Sequence, residues 1–192
     1  NYTVWLTYIG MLSSVVGITL ACGGHPVAAV ICLMFSGFCD MFDGIVARTK
    51  KDRTAEECSY GIQLDSLSDV ICFGVFPVVI GVSVGANEWW QIAIMALFAL
   101  CGLIRLAYYN VTEEVRQKTE TGKRKHYLGV PITSSALTVP LLFCFEGLLG
   151  RNFPIAYTLL LLVNGALFVL PVQVKKPGKT GLAIMLALGV VC

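Results

Sequence analysis

Charged side chains are scarce in this 192-residue sequence, since Asp, Glu, Lys and Arg together make up 14% of it. A soluble domain carries about 25% charged residues, whereas 56% of this chain is hydrophobic and its mean hydropathy is +0.76. The composition therefore excludes an ordinary soluble domain and indicates a polytopic membrane protein. The net charge of +2 says less than the distribution of the charges along the chain.

The sequence also lacks pairs of cysteines at the spacing of a metal-binding or redox motif. The eight cysteines are scattered, and no two of them form a Cys-x-x-Cys pair. Neither a zinc site nor a redox motif is therefore indicated. Most of the cysteines lie in apolar runs, where a free cysteine behaves as a small hydrophobic residue.

Long apolar runs, in contrast, follow one another along the chain. A membrane span needs about 20 apolar residues, and we predict an all-α bundle of six core transmembrane helices in a single domain over residues 1–192. The predicted helices cover about Val4–Leu20, Pro26–Arg48, Gly61–Gly85, Trp89–Tyr109, Ile132–Leu149 and Pro154–Pro171. Thr180–Cys192 opens a further, truncated helix, and Asn1 is not an initiator methionine. We therefore expect the sequence to be cut at both ends.

Basic residues are concentrated in alternate connections between the predicted helices. The loops Thr49–Tyr60 and Asn110–Gly129 and the segment after the sixth helix hold nearly all Lys and Arg residues, and the remaining loops hold only Arg151. Loops rich in Lys and Arg stay on the cytoplasmic side of a membrane. We therefore predict that the N-terminus and the basic loops face the cytoplasm.

Four aspartates interrupt two of the apolar helices. Asp40 and Asp43 lie on the second predicted helix, and Asp65 and Asp69 lie on the third. An ionisable residue inside a membrane helix is costly and marks a functional site by default. At about 100° per residue, the members of each pair share one side of their helix, and a short loop makes the two helices antiparallel neighbours. We therefore predict that the four carboxylates converge.

Carboxylates gathered in a low dielectric repel one another unless cations neutralise them. Oxygen ligands suit hard divalent ions, and two such ions about 3.5–4 Å apart form the clamp used for displacement at phosphorus. We therefore predict a metal site at the four aspartates. A polar network that joins helices and a cation or proton pathway in a transporter are the alternatives that these residues leave open.

The acids belong to a longer pattern, Asp40-x2-Asp43-Gly44-x2-Ala47-Arg48-x12-Gly61-x3-Asp65-x3-Asp69. This pattern resembles the signature of the CDP-alcohol phosphotransferases, although the gap between its two blocks is longer than the commonest one. The long gap is similar to that of the bacterial phosphatidylserine synthase branch. The run Leu64–Val70 and the following Phe73-Gly74-x2-Pro77 are similar to the same branch.

The resemblance implies an enzyme that transfers the phosphatidyl group of CDP-diacylglycerol to L-serine and releases CMP. It implies two Mg²⁺ or Mn²⁺ ions held by Asp40, Asp43, Asp65 and Asp69, with Asp69 also taking the hydroxyl proton of the acceptor as general base. It further implies a homodimer in the lipid bilayer, with the site open to the cytoplasm. We expect a bacterial cytoplasmic membrane and no nucleic-acid partner. Glycerol phosphate or inositol phosphate stays open as the acceptor, because the shared motif does not encode it.

The resemblance also assigns residues to the nucleotide. We expect CDP to contact small residues and an arginine of the motif, and a threonine of the first helix: Gly44, Ala47, Arg48, Gly61 and Thr7. The alternative for Gly44, Ala47, Gly61 and Thr7 is helix packing, because small residues and threonine also pack membrane helices together. This alternative does not apply to Arg48.

Two residues near the inner end of the fourth predicted helix are assigned to the acceptor. Arg105 and Asn110 lie in a run similar to the synthase branch, with Tyr108 where a basic residue is more usual. An arginine binds a carboxylate or phosphate with two parallel hydrogen bonds, so we expect Arg105 to hold the serine carboxylate or a lipid phosphate. Snorkelling of Arg105 to the headgroup layer is the alternative.

Pro77 lies inside the third predicted helix. Because proline has no amide hydrogen, it removes the backbone hydrogen bond to the carbonyl of Phe73 and should kink the helix. We predict that this kink shapes the acceptor pocket.

Overall fold

The computed structural model describes residues 4–47, 54–119, 126–128, 130–170 and 173–175. Its α-helices are α1 (Trp5–Cys22), α2 (Pro26–Ala47), α3 (Ala55–Asp69), α4 (Phe76–Ser83), α5 (Trp89–Thr119), α6 (Ser135–Phe143), α7 (Glu146–Leu149) and α8 (Phe153–Val169). A π-helical segment, Val70–Val75, joins α3 to α4, and we call it the π turn. Two 3₁₀ turns, Ile132–Ser134 and Gly150–Asn152, precede α6 and α8.

Five helical stretches are long and apolar enough to cross a membrane. They are Trp5–Cys22, Pro26–Val46, Glu56–Ser83, Trp89–Thr112 and Glu146–Val169. The third stretch combines α3, the π turn and α4, and the fifth combines α7, a 3₁₀ turn and α8. The prediction of an all-α polytopic membrane protein is therefore confirmed.

The predicted span over Ile132–Leu149 is shorter than expected. The apolar helix that begins there ends at Phe143, because Phe145 leaves the helical conformation with φ −101° and ψ 6°. A separate short helix, α7, follows at once. This predicted span is thus an apolar helix that is too short to cross a membrane. The predicted truncated helix after residue 179 lies outside the described residues.

The helix α3, which opens the third span, begins earlier than predicted, at Ala55 and not at Gly61. Thr54 caps the helix, because its side chain accepts a hydrogen bond of 3.1 Å from the Glu57 amide, and the Glu57 carboxylate accepts one of 3.3 Å from the Thr54 amide. This reciprocal pair is a capping box, which satisfies two amides that would otherwise lack partners. The predicted loop between the second and third helices is therefore partly helical.

The helix of the fourth span also extends beyond its predicted end at Tyr109. α5 continues to Thr119 because the residues that follow Asn110 include Glu, Arg, Lys and Gln, which favour helix wherever water can solvate them. The loss of hydrophobicity marks the end of the apolar span and not the end of the helix.

α1 packs closely against α2 because its buried face consists of small residues: Thr7, Gly10, Ser14, Gly17 and Ala21. A Cβ atom on Gly10 would lie 3.2 Å from the Cys39 Cβ atom, and one on Gly17 would lie 2.7 Å from the Cys32 Cβ atom. Such close approach through small residues is typical of membrane helices. It brings the first turns of α1 against the acidic part of α2.

A short antiparallel ribbon connects the segments that follow α5 and α8. Strand β1 (His126–Leu128) pairs with β2 (Gln173–Lys175), with His126 opposite Lys175. The pairing places the chain after α5 beside the chain after α8. It agrees with the predicted topology, in which both segments lie on one side of the membrane.

Candidate active site

Three carboxylates meet where α2 faces α3. One carboxylate oxygen from each of Asp40, Asp65 and Asp69 lies within 4.8 Å of the other two. Asp69 follows Asp65 by four residues and so lies on the same side of α3, turned inward with only 9% of its surface exposed. Asp40 and Asp69 are within hydrogen-bonding reach of each other. The helical spacing thus brings together acids from both blocks of the motif.

Asp43 lies beside this group and has a different set of neighbours. Its Oδ2 atom accepts a hydrogen bond of 2.9 Å from the Thr7 hydroxyl on α1, and its carboxylate is within hydrogen-bonding reach of Asp65. Asp43 is 8% exposed. All four acids therefore border one cleft, and α1 contributes a polar contact to it.

Small polar side chains from three helical segments meet next to the acids. The Ser14 hydroxyl donates to the Ser36 hydroxyl at 3.0 Å, with both residues buried, and the buried Cys72 lies close to both. Ser36 and Cys72 line the cleft together with the four aspartates. Sequence reasoning missed this polar group, because Ser14, Ser36 and Cys72 come from different helical segments and no spacing in the chain connects them.

The donor set fits a hard divalent cation. Two oxygens bound to one Mg²⁺ ion at about 2.0–2.1 Å each lie at most about 4.2 Å apart. The oxygens of Asp40, Asp65 and Asp69 lie within 4.8 Å of one another, so a shared ion requires only small movements. The ligands are all oxygens, which is the set that Mg²⁺ and Mn²⁺ prefer over softer metals.

α5 brings a basic residue close to Asp69. The half-buried Arg105 is close enough to Asp69 for their charges to attract each other. This position, on the fourth span at the level of the acids, is the one that the sequence predicts for an anion-binding arginine. Its role at the acceptor stays a prediction.

Asn110, the second residue predicted at the acceptor, is bound to α3. Its side-chain Nδ2 donates to the Ser66 Oγ atom at 2.7 Å, and the Ser66 hydroxyl lies 3.1 Å from the Asn110 Oδ1 atom. Ser66 directly follows Asp65. Asn110 therefore joins α5 to the helix that carries two of the four acids, a contact that sequence reasoning did not foresee.

The motif residues predicted to contact CDP lie near the acids where the structure describes them. A Cβ atom on Gly44 would meet no atom of the described residues within 4 Å, so these residues leave the backbone open to an approaching ligand. Ala47 ends α2, and Gly61 lies half-buried one turn before Asp65. Arg48 lies outside the described residues, and the nucleotide assignment stays a prediction.

Comparison with known proteins gives one family over the whole site. The family model described as CDP-alcohol phosphatidyltransferase matches residues 1–191. The CDP-diacylglycerol–serine O-phosphatidyltransferase of Saccharomyces cerevisiae is 36% identical over 140 residues, which are 71% of this chain and 49% of the yeast protein. The archaetidylserine synthase of Methanothermobacter thermautotrophicus is 33% identical over 135 residues, which are 70% of this chain and 54% of that protein.

A bacterial relative gives a similar picture. The CDP-diacylglycerol–serine O-phosphatidyltransferase of Helicobacter pylori strain 26695 is 34% identical over 142 residues, which are 73% of this chain and 54% of the relative. The chain thus spans about half the length of these curated relatives. No solved structure matches the chain at a significant level. With its two motif blocks on adjacent membrane helices and a family model that covers residues 1–191, the chain belongs to the CDP-alcohol phosphatidyltransferase family.

Proposed function

We propose that this chain transfers the phosphatidyl group of CDP-diacylglycerol to L-serine and releases CMP. The observation that carries the proposal is the convergence of Asp40, Asp65 and Asp69 within 4.8 Å in a cleft between membrane helices of a CDP-alcohol phosphatidyltransferase. Relatives from yeast and Helicobacter are named as serine O-phosphatidyltransferases, and the archaeal one as an archaetidylserine synthase. Serine is the acceptor that these names share.

The metal is part of the proposal. We assign Asp40, Asp43, Asp65 and Asp69 as the ligands of two Mg²⁺ or Mn²⁺ ions, because their oxygens fit hard cations and their own charges would otherwise repel. Such ions, when bound, neutralise the charge of the pyrophosphate and of the leaving CMP.

The proposed reaction is a direct displacement at the phosphorus that bears the diacylglycerol. The serine hydroxyl oxygen forms a bond to this phosphorus, and the bond from the phosphorus to the oxygen retained by CMP breaks. The hydroxyl proton passes to the carboxylate of Asp69, which acts as general base. Asp69 suits this role because it lies one turn beyond Asp65 and is largely shielded from water, with 9% of its surface exposed.

We assign the acceptor to the α5 side of the cleft. Arg105 lies near Asp69, so an arginine fork on the serine carboxylate would leave the serine hydroxyl close to the base. Asn110 reaches the same region through its bonds to Ser66. We assign the nucleotide to the region of the open backbone at Gly44 and of the Thr7 hydroxyl, together with Ala47, Arg48 and Gly61.

The membrane orientation and the assembly complete the proposal. We propose that the cleft faces the cytoplasm, because basic residues follow α2, α5 and α8. The pairing of β1 with β2 supports a common side for the last two segments. We also propose that the protein is a homodimer and that its membrane is a bacterial cytoplasmic membrane.

The test is CMP release by the purified protein in detergent with CDP-diacylglycerol and Mn²⁺. L-Serine, glycerol 3-phosphate and inositol 1-phosphate are supplied separately, with CDP-diacylglycerol alone as the blank. We expect release that depends on serine. CMP release with another acceptor but not with serine would show that the acceptor assignment is wrong. No release with any acceptor would contradict the transferase assignment and favour the alternative, a transport pathway lined by the acids.

A further inference from the structure

Two buried side chains from other helices bind the backbone at the π turn and Pro77, where α3 passes into α4. The Ser135 hydroxyl, on the first turn of α6, donates to the Phe73 carbonyl at 3.1 Å. The Tyr157 hydroxyl, on α8, donates to the Pro77 carbonyl at 2.8 Å. Both donor residues are 0% exposed. The proposed chemistry uses neither of them.

The first of these bonds replaces one that the sequence removes. Phe73 precedes Pro77 by four residues, so its carbonyl would accept from residue 77 in a regular α-helix, and proline has no amide hydrogen to donate. A buried carbonyl without a donor is costly. The Ser135 hydroxyl, which also lies 3.0 Å from the Ile132 carbonyl of its own turn, supplies a donor to Phe73.

The bound segment is also part of the cleft. The π turn begins directly after Asp69 and buries three consecutive residues, Cys72, Phe73 and Gly74. Cys72 and Phe73 line the cleft together with Asp69. Single π turns inside α-helices are frequent at functional sites, and this one connects the proposed base to the rest of its membrane span.

Close packing on both sides holds the two donors in place. Ile132, at the start of the 3₁₀ turn before α6, lies against α5, since a Cβ atom on Gly102 would be 2.6 Å from its Cδ1 atom. Tyr157 lies against α4, since a Cβ atom on Gly81 would be 3.0 Å from its Cε1 atom. The absence of side chains at the two glycines lets the helices that carry the donors approach closely.

We propose that Ser135, together with Tyr157, positions Asp69 by holding the π turn through the carbonyls of Phe73 and Pro77. A π turn closes its hydrogen bonds over one more residue than an α turn. Its relaxation to α geometry would rotate Asp69 relative to α4 by up to about 100°, the angle of one residue. Such a rotation would take the carboxylate away from Asp40. The inference rests on the proposed function for the role of Asp69 as base.

The test uses two variants that remove one hydrogen bond each. Ser135→Ala removes the donor to Phe73, and Tyr157→Phe removes the donor to Pro77 with little change in volume. The matched control is Thr138→Val on the same helix as Ser135. Thr138 accepts a hydrogen bond of 2.8 Å from the Asn164 side chain on α8, so this control also loses a bond between helices, but one that does not involve α3, the π turn or α4.

Three measurements separate positioning from general destabilisation. Thermal unfolding in detergent gives the stability of each variant, hydrogen exchange gives the protection of residues 70–75, and a Mn²⁺ titration followed by electron paramagnetic resonance gives metal affinity. We expect faster exchange at residues 70–75 and several-fold weaker Mn²⁺ binding in Ser135→Ala and Tyr157→Phe than in Thr138→Val. We expect kcat to fall about tenfold, as loss of one buried hydrogen bond allows, with little change in the KM for CDP-diacylglycerol.

The outcomes distinguish the two proposals. Exchange at residues 70–75 and Mn²⁺ affinity equal to those of Thr138→Val would overturn the positioning inference, even if the rates fell. A kcat loss that merely follows the unfolding temperature across all three variants would also overturn it. A wild-type protein that releases no CMP would instead refute the proposed function, and the exchange and Mn²⁺ measurements would still decide whether Ser135 and Tyr157 position Asp69.

Discussion

Thr7 on α1 donates a hydrogen bond of 2.9 Å to the buried carboxylate of Asp43 on α2. The bond crosses 36 residues of sequence and holds one carboxylate oxygen toward α1. The same carboxylate also lies close to that of Asp65. A first helix that carries no acid of the motif thus takes part in orienting one.

Thr7→Val should therefore weaken metal binding without removing any ligand. A hydrogen bond contributes about 0.5–1.5 kcal/mol net, so we expect the Mn²⁺ concentration for half-maximal CMP release to rise about threefold to tenfold. Thr19→Val is the matched control, because the Thr19 hydroxyl donates to the Val15 carbonyl of its own helix at 3.0 Å and not to an acid of the motif. An equal shift in both variants would mean that the bond to Asp43 does not act on the metal.

Asp43→Asn should abolish turnover and weaken metal binding. Asp43 adjoins Asp65 and lines the same cleft as Asp40 and Asp69, where its carboxylate would serve as a ligand to the proposed ions. The measurement is CMP release over a range of Mg²⁺ concentrations. Glu146→Gln, which neutralises an exposed acid on α7, serves as the control, and near-normal release by Asp43→Asn at ordinary Mg²⁺ would contradict the two-metal assignment.

Asp69→Asn should separate binding from chemistry. If Asp69 acts mainly as the base, the variant loses the proton acceptor but keeps an oxygen for the metal. CDP-diacylglycerol and Mn²⁺ should then bind with nearly the wild-type affinity. The rate of CMP release should fall by a factor of about 10²–10⁴, which is the contribution of general-base catalysis. Binding that collapses together with the rate would show that Asp69 is chiefly a metal ligand.

The sequence predicts the convergence of the acids from their spacing. Residues three or four apart share one side of a helix, and two helices joined by a short loop are neighbours, so the spacing predicts that Asp40 and Asp69 face each other. The capping box at Thr54 is also visible in the sequence, as Thr-x-x-Glu. Its omission led to the late predicted start of α3.

The sequence does not predict the polar contacts between helices that are far apart along the chain. Thr7 was expected to contact the nucleotide or to pack against a helix, and the structure gives it a third relationship, a bond to Asp43. Ser135 and Phe73 are 62 residues apart, and nothing in the local pattern of either connects them. Proline chemistry predicts that the Phe73 carbonyl loses its donor, but only the tertiary packing determines which hydroxyl replaces it.

Arg105→Lys should raise the KM for serine and leave the KM for CDP-diacylglycerol nearly unchanged. Serine carries a carboxylate that the other common acceptors lack or replace with phosphate, and a site shielded from water needs a fixed cation to hold it. Arg105 is half-buried near Asp69. Lysine keeps the charge but loses the two parallel hydrogen bonds of the guanidinium.

A lost hydrogen bond to a charged group is worth about 1.5–3 kcal/mol, so the KM for serine should rise roughly tenfold to a hundredfold. The measurement is steady-state CMP release with each substrate varied in turn. Arg151→Lys is the control, because Arg151 is exposed in the turn before α8, on a connection predicted to lie outside the cytoplasm. A rise in the KM for CDP-diacylglycerol with that for serine unchanged would instead place Arg105 at the liponucleotide phosphate, and the serine assignment would be wrong.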